Sequence, residues 1–226
     1  MSGVGGWKSV EDGWQAVDDL ICATLLGDDP ALAACLERSR AAGLPDIAVS
    51  APQGRLLELL ATVTGTRRVL EVGTLGGFST IFLARGVGGG GRVTTLELIP
   101  EYAAIARESL AAAGVDDRVE VIVGPALDSL ARLAGPIDLT FLDADKVNNC
   151  AYVDHAVRLS RPGALILVDN VVREGNVVAP DPSDESAVGT RRLYDHVRDH
   201  PRLAGTAIQT VGAKGWDGLM ILRVLD

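Results

Sequence analysis

Residues 69–79 have the sequence Val69-Leu70-Glu71-Val72-Gly73-Thr74-Leu75-Gly76-Gly77-Phe78-Ser79. An apolar run ends in a glycine-rich turn and a helical pattern follows, so this stretch predicts a strand, a turn and a helix. Glycine in such a turn lets a ligand approach the backbone and tolerates positive φ. The dinucleotide fingerprint G-x-G-x-x-G requires glycine at two positions that hold Leu75 and Phe78, so the fingerprint is absent.

The alternation of strands and helices continues along the chain. We predict strands at 68–72, 92–96, 119–123, 137–142 and 164–168, with helices at 79–85, 100–113, 126–134 and 152–159. Such alternation indicates a parallel sheet with right-handed crossovers. Runs at 206–211 and 219–225 flank the turn-rich segment 212–218 and predict an antiparallel hairpin. The expected fold class is α/β, with a doubly wound, mostly parallel seven-stranded sheet.

The first part of the chain has a different pattern. Helices are predicted at 10–26, 30–42 and 52–64, separated by segments that contain glycine and proline. We therefore expect a single domain over 1–226, made of a helical N-terminal cap at 1–64 and an α/β core at 65–226. Trp7 and Trp14 in the cap suit either burial or an interface.

Composition excludes several classes of protein. The formal net charge of −9 over 226 residues argues against a nucleic-acid partner, which is bound largely through Lys and Arg. The chain has no apolar run long enough to cross a bilayer, and its N-terminus lacks the pattern of a signal peptide. Cys22, Cys35 and Cys150 form no C-x-x-C pair, which indicates reduced thiols and a cytoplasmic protein.

The residues around the glycine turn predict the kind of cofactor. Glu71, Gly73 and Gly77 form the pattern E-x-G-x-x-x-G, and Glu97 follows the second predicted strand. A carboxylate at that strand end is well placed to accept hydrogen bonds from ribose hydroxyls. The pattern favours a nucleoside without a pyrophosphate. The alternative is a tight turn beside an exposed glutamate.

Two later strands also end in oxygen-bearing side chains. Asp143 follows one of them, with Lys146 close behind, and Asp169 and Asn170 follow the next. Ligands bind at the carboxyl ends of parallel strands, where these groups converge. Such oxygen donors suit Mg²⁺ or Ca²⁺ better than zinc. Singly, each residue has a simpler explanation: Asp145 as a helix N-cap, Lys146 as a solvated charge and Asn170 as a turn residue.

These motifs resemble those of the cation-dependent class I O-methyltransferases, the family of catechol and caffeoyl-coenzyme A O-methyltransferases. The residues that carry the resemblance are Val49-Ser50-Ala51-Pro52-Gln53-Gly54, Leu70-Glu71-Val72-Gly73, Phe78-Ser79, Gly124-Pro125-Ala126, Asp143-Ala144-Asp145-Lys146 and Val168-Asp169-Asn170. The family fold is the Rossmann-like class I methyltransferase fold. The resemblance therefore implies that fold and methyl transfer to an oxygen.

The resemblance also implies roles for individual residues. S-adenosylmethionine would lie across the strand ends, near Val49, Glu71, Gly73, Gly77, Ser79, Glu97, Leu98, Gly124, Ala126 and Asp143. Asp143, Asp169 and Asn170 match the family's ligands for Mg²⁺, or for another divalent cation such as Ca²⁺ or Mn²⁺. Lys146 matches its catalytic lysine, with Asp143 beside both sites. The family also implies a homodimer.

The chemistry of the residues agrees with those roles. A phenol has a pKa of about 10 and is mostly protonated at neutral pH. Chelation of two adjacent hydroxyls by a divalent ion would acidify one of them, and Lys146 could accept the proton. We therefore expect a small, catechol-like acceptor with vicinal hydroxyls.

The chain departs from the family in ways that concern the acceptor. Asn149 follows Asn148 where many relatives have an aromatic residue, and Arg173 lies where plant relatives have an aromatic wall. A cation there makes an acidic or hydrogen-bonding acceptor plausible. The segment 177–189 has the prolines and acidic residues of a mobile flap. Trp216, in the hairpin turn, could also shape the pocket.

Three rival functions are consistent with parts of the pattern. A metal-independent methyltransferase on another acceptor would keep the glycine turn without needing the carboxylates. An NAD-dependent dehydrogenase is disfavoured by Leu75 and Phe78. A non-catalytic S-adenosylmethionine-binding module would not need Lys146.

Overall fold

The computed structural model describes residues 9–226 and contains a seven-stranded sheet. Its strand order is β3-β2-β1-β4-β5-β7-β6, with β1 to β5 parallel and β7 antiparallel to both of its neighbours. This confirms the predicted fold class, including the C-terminal hairpin. The strands are β1 Arg68–Val72, β2 Arg92–Glu97, β3 Val119–Val123, β4 Ile137–Leu142, β5 Ser160–Asp169, β6 Leu203–Gly212 and β7 Gly215–Val224.

Helices cover both faces of the sheet because side chains alternate along each strand. The helices are α1 Val10–Ile21, α2 Pro30–Ala41, α3 Ala51–Val63, α4 Phe78–Gly86, α5 Pro100–Ala112, α6 Ala126–Arg132, α7 Asn149–Leu159 and α8 Glu185–Asp199. Leu70 and Val168 pack with α6, α7 and α8, whereas Val69 and Leu167 pack with α2, α3, α4 and α5. The architecture has three layers, with the cores on the two sides of the sheet.

Helix α8 was not predicted, and it corrects the proposed flap. The second part of the segment 177–189 is the first turn of this helix, capped by the Asp184 side chain, which accepts from the Ala187 amide. The sequence gives little indication of this helix, because Pro180 and Pro182 precede it and it is strongly charged. Its buried Leu193 packs against the core. The segment is therefore partly a rigid element.

The hairpin also differs from its prediction. β6 and β7 pair from Leu203 to Gly212 and from Gly215 to Val224, so the connection is only Ala213-Lys214. The three glycines of segment 212–218, which indicated a long turn, all lie within strands. A side chain on Gly218 would clash with the Ile208 carbonyl and Val172.

The N-terminal helices lie where the sequence predicts them. α1 begins with a capping box between Ser9 and Asp12 and continues as one turn of π-helix at Cys22–Leu26. Trp14 is half-buried, and Trp7 lies outside the described residues. Over residues 9–226, no helix has the length and apolar character required to cross a bilayer.

Candidate active site

The loops that follow β1, β2, β3 and β4 surround a cavity of about 740 Å³, here called the first cavity. Its position at the carboxyl ends of parallel strands is where open α/β sheets bind ligands. The predicted site residues that line it are Val49, Gly73, Ser79, Glu97, Leu98, Ala126, Asp143, Lys146 and Asn170. The structure thus brings most of the predicted cofactor-binding residues together on one cavity.

The glycine turn after β1 is held by close backbone contacts. Gly73 has φ of 98°, and a Cβ placed on it would lie 2.0 Å from the carbonyl oxygen of Asp143. The Asp143 amide donates to the Val72 carbonyl at 2.9 Å, so the turn and the loop after β4 touch directly. Within the same turn Leu75 adopts φ of 51°, which is strained for a residue with a side chain. Gly73 is therefore required by space and by conformation.

We expect Gly73→Ala to lower the free energy of unfolding by about 3 kcal/mol, because it adds a backbone clash to an unfavourable φ. Urea unfolding of the variant and the wild type measures the difference. Gly89→Ala is the matched control, since its Cβ would meet no atom within 4 Å and its φ is ordinary. Equal midpoints for wild type and Gly73→Ala would contradict the expected clash.

Glu71, one of the predicted cofactor-binding residues, is buried and is not among the residues that line the first cavity. Its carboxylate is fully buried and accepts hydrogen bonds from Ser79 Oγ at 2.6 Å, Thr80 Oγ1 at 2.5 Å and Thr95 Oγ1 at 2.7 Å. Burial raises the pKa of Glu71 to about 7, against the lowering effect of the three hydroxyls. Glu71 therefore ties β1, β2 and α4 together beneath the turn.

Two predicted glycines also lie off the wall. Gly77 has φ of 89° and is the N-cap of α4, where its added Cβ would approach Ala106 of α5. Gly124 has φ of 134° and precedes Pro125 and Ala126, which do line the first cavity. Both glycines shape the loops and do not contact the cavity.

Glu97 lines the first cavity and organises its loops. One carboxylate oxygen accepts from the amides of Thr74 at 3.2 Å and Leu75 at 2.8 Å, and the other accepts from the Ile99 amide at 3.0 Å. Each carboxylate oxygen has two acceptor sites, so the oxygen that accepts only from Ile99 keeps one site for a ligand hydroxyl. Glu97 is thus both a brace for the glycine turn and an available acceptor.

The carboxylates after β4 and β5 lie beside a buried lysine. Strands β4 and β5 pair in register at Leu142 and Val168, which places Asp143 next to Asp169. Lys146, only 7% exposed, donates to Asp143 Oδ1 at 3.0 Å. Burial and the negative charge of Asp143 raise the pKa of Asp169 to about 7. One lysine side chain therefore lies beside two carboxylates, so the negative charge of the pair is incompletely balanced.

Asn170 completes the oxygen donors. It adopts φ of 57°, a left-handed conformation that asparagine tolerates, and its backbone N–H donates to Asp169 Oδ1 at 2.8 Å. Within the described chain, no three His, Cys, Asp or Glu side chains form a metal-binding group. A divalent cation would therefore be held by two carboxylates and one amide oxygen, a donor set that fits a hard cation with water in its remaining positions.

A second cavity of about 530 Å³ lies on the other side of these donors. Asn170 and Val49 line both cavities, Asp143 lines the first, and Asp169 lines the second. The remaining walls come from α1, the start of α3, the loop after β5 and the β6–β7 hairpin, and they include Arg173 and Lys214. The oxygen donors thus stand at the junction of two cavities, each large enough for a small molecule.

The loop around Lys146 contains contacts that sequence reasoning missed. Asp145 does not cap the following turn with its side chain, as expected, but accepts from Tyr152 Oη and Asn148 Nδ2. Gly189 of α8 packs so closely that an added Cβ would lie 2.5 Å from the Lys146 carbonyl oxygen. Asn148 and Tyr152 are close to Asp145 in sequence, whereas Gly189 lies more than forty positions after Lys146, so no local sequence signal identifies the contact with α8.

Comparison with known proteins decides the family. The sequence profile described as O-methyltransferase matches residues 26–224. A catechol O-methyltransferase of Mycobacterium tuberculosis is 59% identical over 209 residues, which cover 92% of this chain and 94% of that protein. The chain belongs to the class I S-adenosylmethionine-dependent O-methyltransferases.

Solved structures resemble this O-methyltransferase over nearly its whole length. A cofactor-bound structure of Rv0187 from MTB is 57% identical with a TM-score of 0.92, covering 96% of this chain and 98% of that one. The O-methyltransferase from Bacillus cereus, in complex with SAH, is 47% identical with a TM-score of 0.92, covering 94% and 99%. The recognition made from the sequence motifs is confirmed at the level of the family.

Proposed function

We propose that the protein is a Mg²⁺-dependent O-methyltransferase that moves a methyl group from S-adenosylmethionine to one hydroxyl of a catechol-like small molecule. The observation that carries the proposal is the placement of Asp143, Asp169 and Asn170 between two cavities, with Lys146 beside them. The first cavity would hold S-adenosylmethionine and the second the acceptor. The relatives named catechol O-methyltransferase and the neighbours with bound cofactor support this assignment.

In the first cavity, Glu97 would accept hydrogen bonds from the ribose of S-adenosylmethionine, and the glycine turn would pass close to its methionine portion. Leu98 and Ala126 would border the adenine. Glu71, Gly77 and Gly124 would position these groups without touching the cofactor. S-adenosylmethionine would supply the methyl group: the acceptor oxygen would bond to the methyl carbon in line as the carbon–sulfur bond breaks and S-adenosylhomocysteine leaves. The orientation of the two reactants at the junction of the cavities would therefore govern the rate.

At the junction, Asp143, Asp169 and the Asn170 amide oxygen would hold the cation. When bound, Mg²⁺ supplies Lewis-acid stabilisation of negative charge on the acceptor oxygen. In its neutral form Lys146 would accept the proton of the attacking hydroxyl at Nζ and become an ammonium group, and Asp143 would orient Nζ through the hydrogen bond at 3.0 Å. The buried position of Lys146 keeps it at the reacting atoms and limits water around them.

The test is methyl transfer from S-adenosylmethionine to a panel of catechols, measured by mass spectrometry with Mg²⁺ and with EDTA. We expect a gain of one methyl group that disappears with EDTA and returns when Mg²⁺, Mn²⁺ or Ca²⁺ is added in excess. Methylation that survives EDTA would contradict the metal-dependent mechanism and favour the metal-independent alternative. Absence of product in every condition would favour a non-catalytic binding module.

Two further proposals concern the state of the protein in the cell. A homodimer is consistent with apolar side chains on α1 that the protomer leaves exposed, among them Val17 and Leu20. The three cysteines, which form no disulfide with each other, are consistent with a cytoplasmic location. Light scattering and cell fractionation test these proposals.

A further inference from the structure

One charged side chain of the second cavity has an unsatisfied hydrogen-bond donor. Arg173 lines this cavity, and among residues 9–226 its buried Nε atom has no hydrogen-bond partner. Within residues 9–226 its guanidinium forms no ion pair. A buried charged donor without an acceptor costs free energy, and a donor that faces a cavity gains a partner when a ligand brings one.

The loop that bears Arg173 is held in place before any ligand arrives. Asp217 Oδ1 accepts from the amides of Val172 at 2.9 Å, Arg173 at 3.0 Å and Gly218 at 2.9 Å. Arg173 and Glu174 both adopt positive φ, near 51° and 55°. Strained backbone of this kind persists only where the surroundings determine it and is frequent at ligand-binding sites. Arg173 is therefore preorganised and not a freely moving surface cation.

Other charged side chains that line this cavity already have partners. Lys214 pairs with Asp46 at 3.0 Å, and Asp18 accepts from the Ala213 amide at 2.8 Å. The Oδ1 atom of Asp217 already accepts from three amides. In the described chain, Arg173 is thus a lining residue of this cavity whose Nε donor lacks an acceptor.

We propose that the acceptor is a vicinal dihydroxy aromatic acid whose carboxylate binds the Arg173 guanidinium while its hydroxyls face Asp169 and Asn170. This inference rests on the proposed function. A carboxylate matches the fork of Nε and one Nη, which gives two parallel, charge-assisted hydrogen bonds. The acid group then fixes the ring at a distance from the carboxylate site, so Arg173 selects the acceptor and does not take part in the chemistry.

The experiment compares each acid with its own methyl ester. The probes are 3,4-dihydroxybenzoate and its homologues with one or two carbons between ring and carboxylate. The series identifies the spacer length at which the carboxylate reaches Arg173 while the hydroxyls face Asp169 and Asn170. The readout is the ratio of kcat/KM for acid over ester, measured with Mg²⁺ on a single preparation. That ratio is independent of the fraction of active protein, so a poorly folded variant still gives a valid value.

For the wild type we expect the best acid to exceed its ester by roughly 10- to 100-fold, as for a hydrogen-bonded charge pair. Arg173→Met should bring the ratio close to unity, mainly through KM, and Arg173→Lys should give an intermediate ratio because the fork is lost. Lys214→Met is the matched control: it removes a cation from the same cavity, but one already paired with Asp46, so the ratio should persist.

Three results would overturn the inference. Equal kcat/KM for acid and ester in the wild type would overturn it while leaving the methyltransferase function standing. A high ratio that survives Arg173→Met would do the same, since another group would then bind the carboxylate. If the wild type methylates neither acids nor esters, the proposed function fails and the acceptor assignment fails with it.

Discussion

Asp169→Asn is expected to lower kcat/KM for methyl transfer by roughly 10³-fold, because the loss of one anionic ligand weakens Lewis-acid stabilisation worth several kcal/mol. Asp169 is only 5% exposed and adjoins Asp143, so solvent cannot replace the missing charge. The Mg²⁺ concentration required for half-maximal rate should rise at the same time. Steady-state kinetics at several Mg²⁺ concentrations measure both effects.

Binding of the cofactor separates this effect from misfolding. Asp169 lines the second cavity and not the first, so Asp169→Asn should still bind S-adenosylhomocysteine, as measured by calorimetry. Asp181→Asn is the matched control, because within residues 9–226 its exposed carboxylate forms hydrogen bonds only with Ser183. A variant that keeps wild-type turnover and Mg²⁺ dependence would exclude Asp169 as a ligand.

Lys146→Met is expected to lower kcat by roughly 10³-fold, within the usual contribution of a general base. Methionine retains the length of the side chain and fills the buried space but cannot accept a proton. The deficit should shrink as pH rises towards the phenol pKa of about 10, where the acceptor ionises without assistance. A nitro-substituted catechol, which is more acidic, should show a smaller deficit at neutral pH.

These two readouts distinguish a proton acceptor from a structural lysine. If Lys146 only held Asp143 in place, the loss would be the same at every pH and for every acceptor. Lys214→Met is again the control, since it removes the other lysine of residues 9–226, which pairs with Asp46 at the surface. Its pH profile should match that of the wild type.

The sequence was sufficient to predict the features that follow from the order of strands and helices along the chain. Residues 69–79 predict strand, turn and helix locally, and parallel pairing then brings neighbouring strand ends to one edge of the sheet. The order of the strands and their polar ends is therefore enough to predict that Asp143 and Asp169 lie together. The position of these two residues at the carboxyl ends of β4 and β5 follows once the two strands are known to be neighbours.

Sequence reasoning failed where one contact joins distant segments. Asp217 holds the amides of Val172 and Arg173 across 45 and 44 positions, and nothing near Asp217 indicates this role. Glu71 was expected at the cofactor because it belongs to the E-x-G-x-x-x-G pattern, whereas in the structure hydroxyls of α4 and β2 surround its buried carboxylate. Helix α8 was missed because its stability comes from docking and not from an apolar periodicity.

The anchoring of the Arg173 loop by the hairpin divides the enzyme into parts that can diversify separately. Asp217 and Trp216, whose ring packs on Gly175, belong to β7. The proposed cation ligands lie elsewhere: Asp143 follows β4, Asp169 ends β5 and Asn170 comes next. A substitution in the hairpin would re-aim Arg173 and leave the donor set intact. New acceptors are therefore most readily obtained, in a lineage or in a directed library, by varying the hairpin while the methyl-transfer chemistry is inherited unchanged.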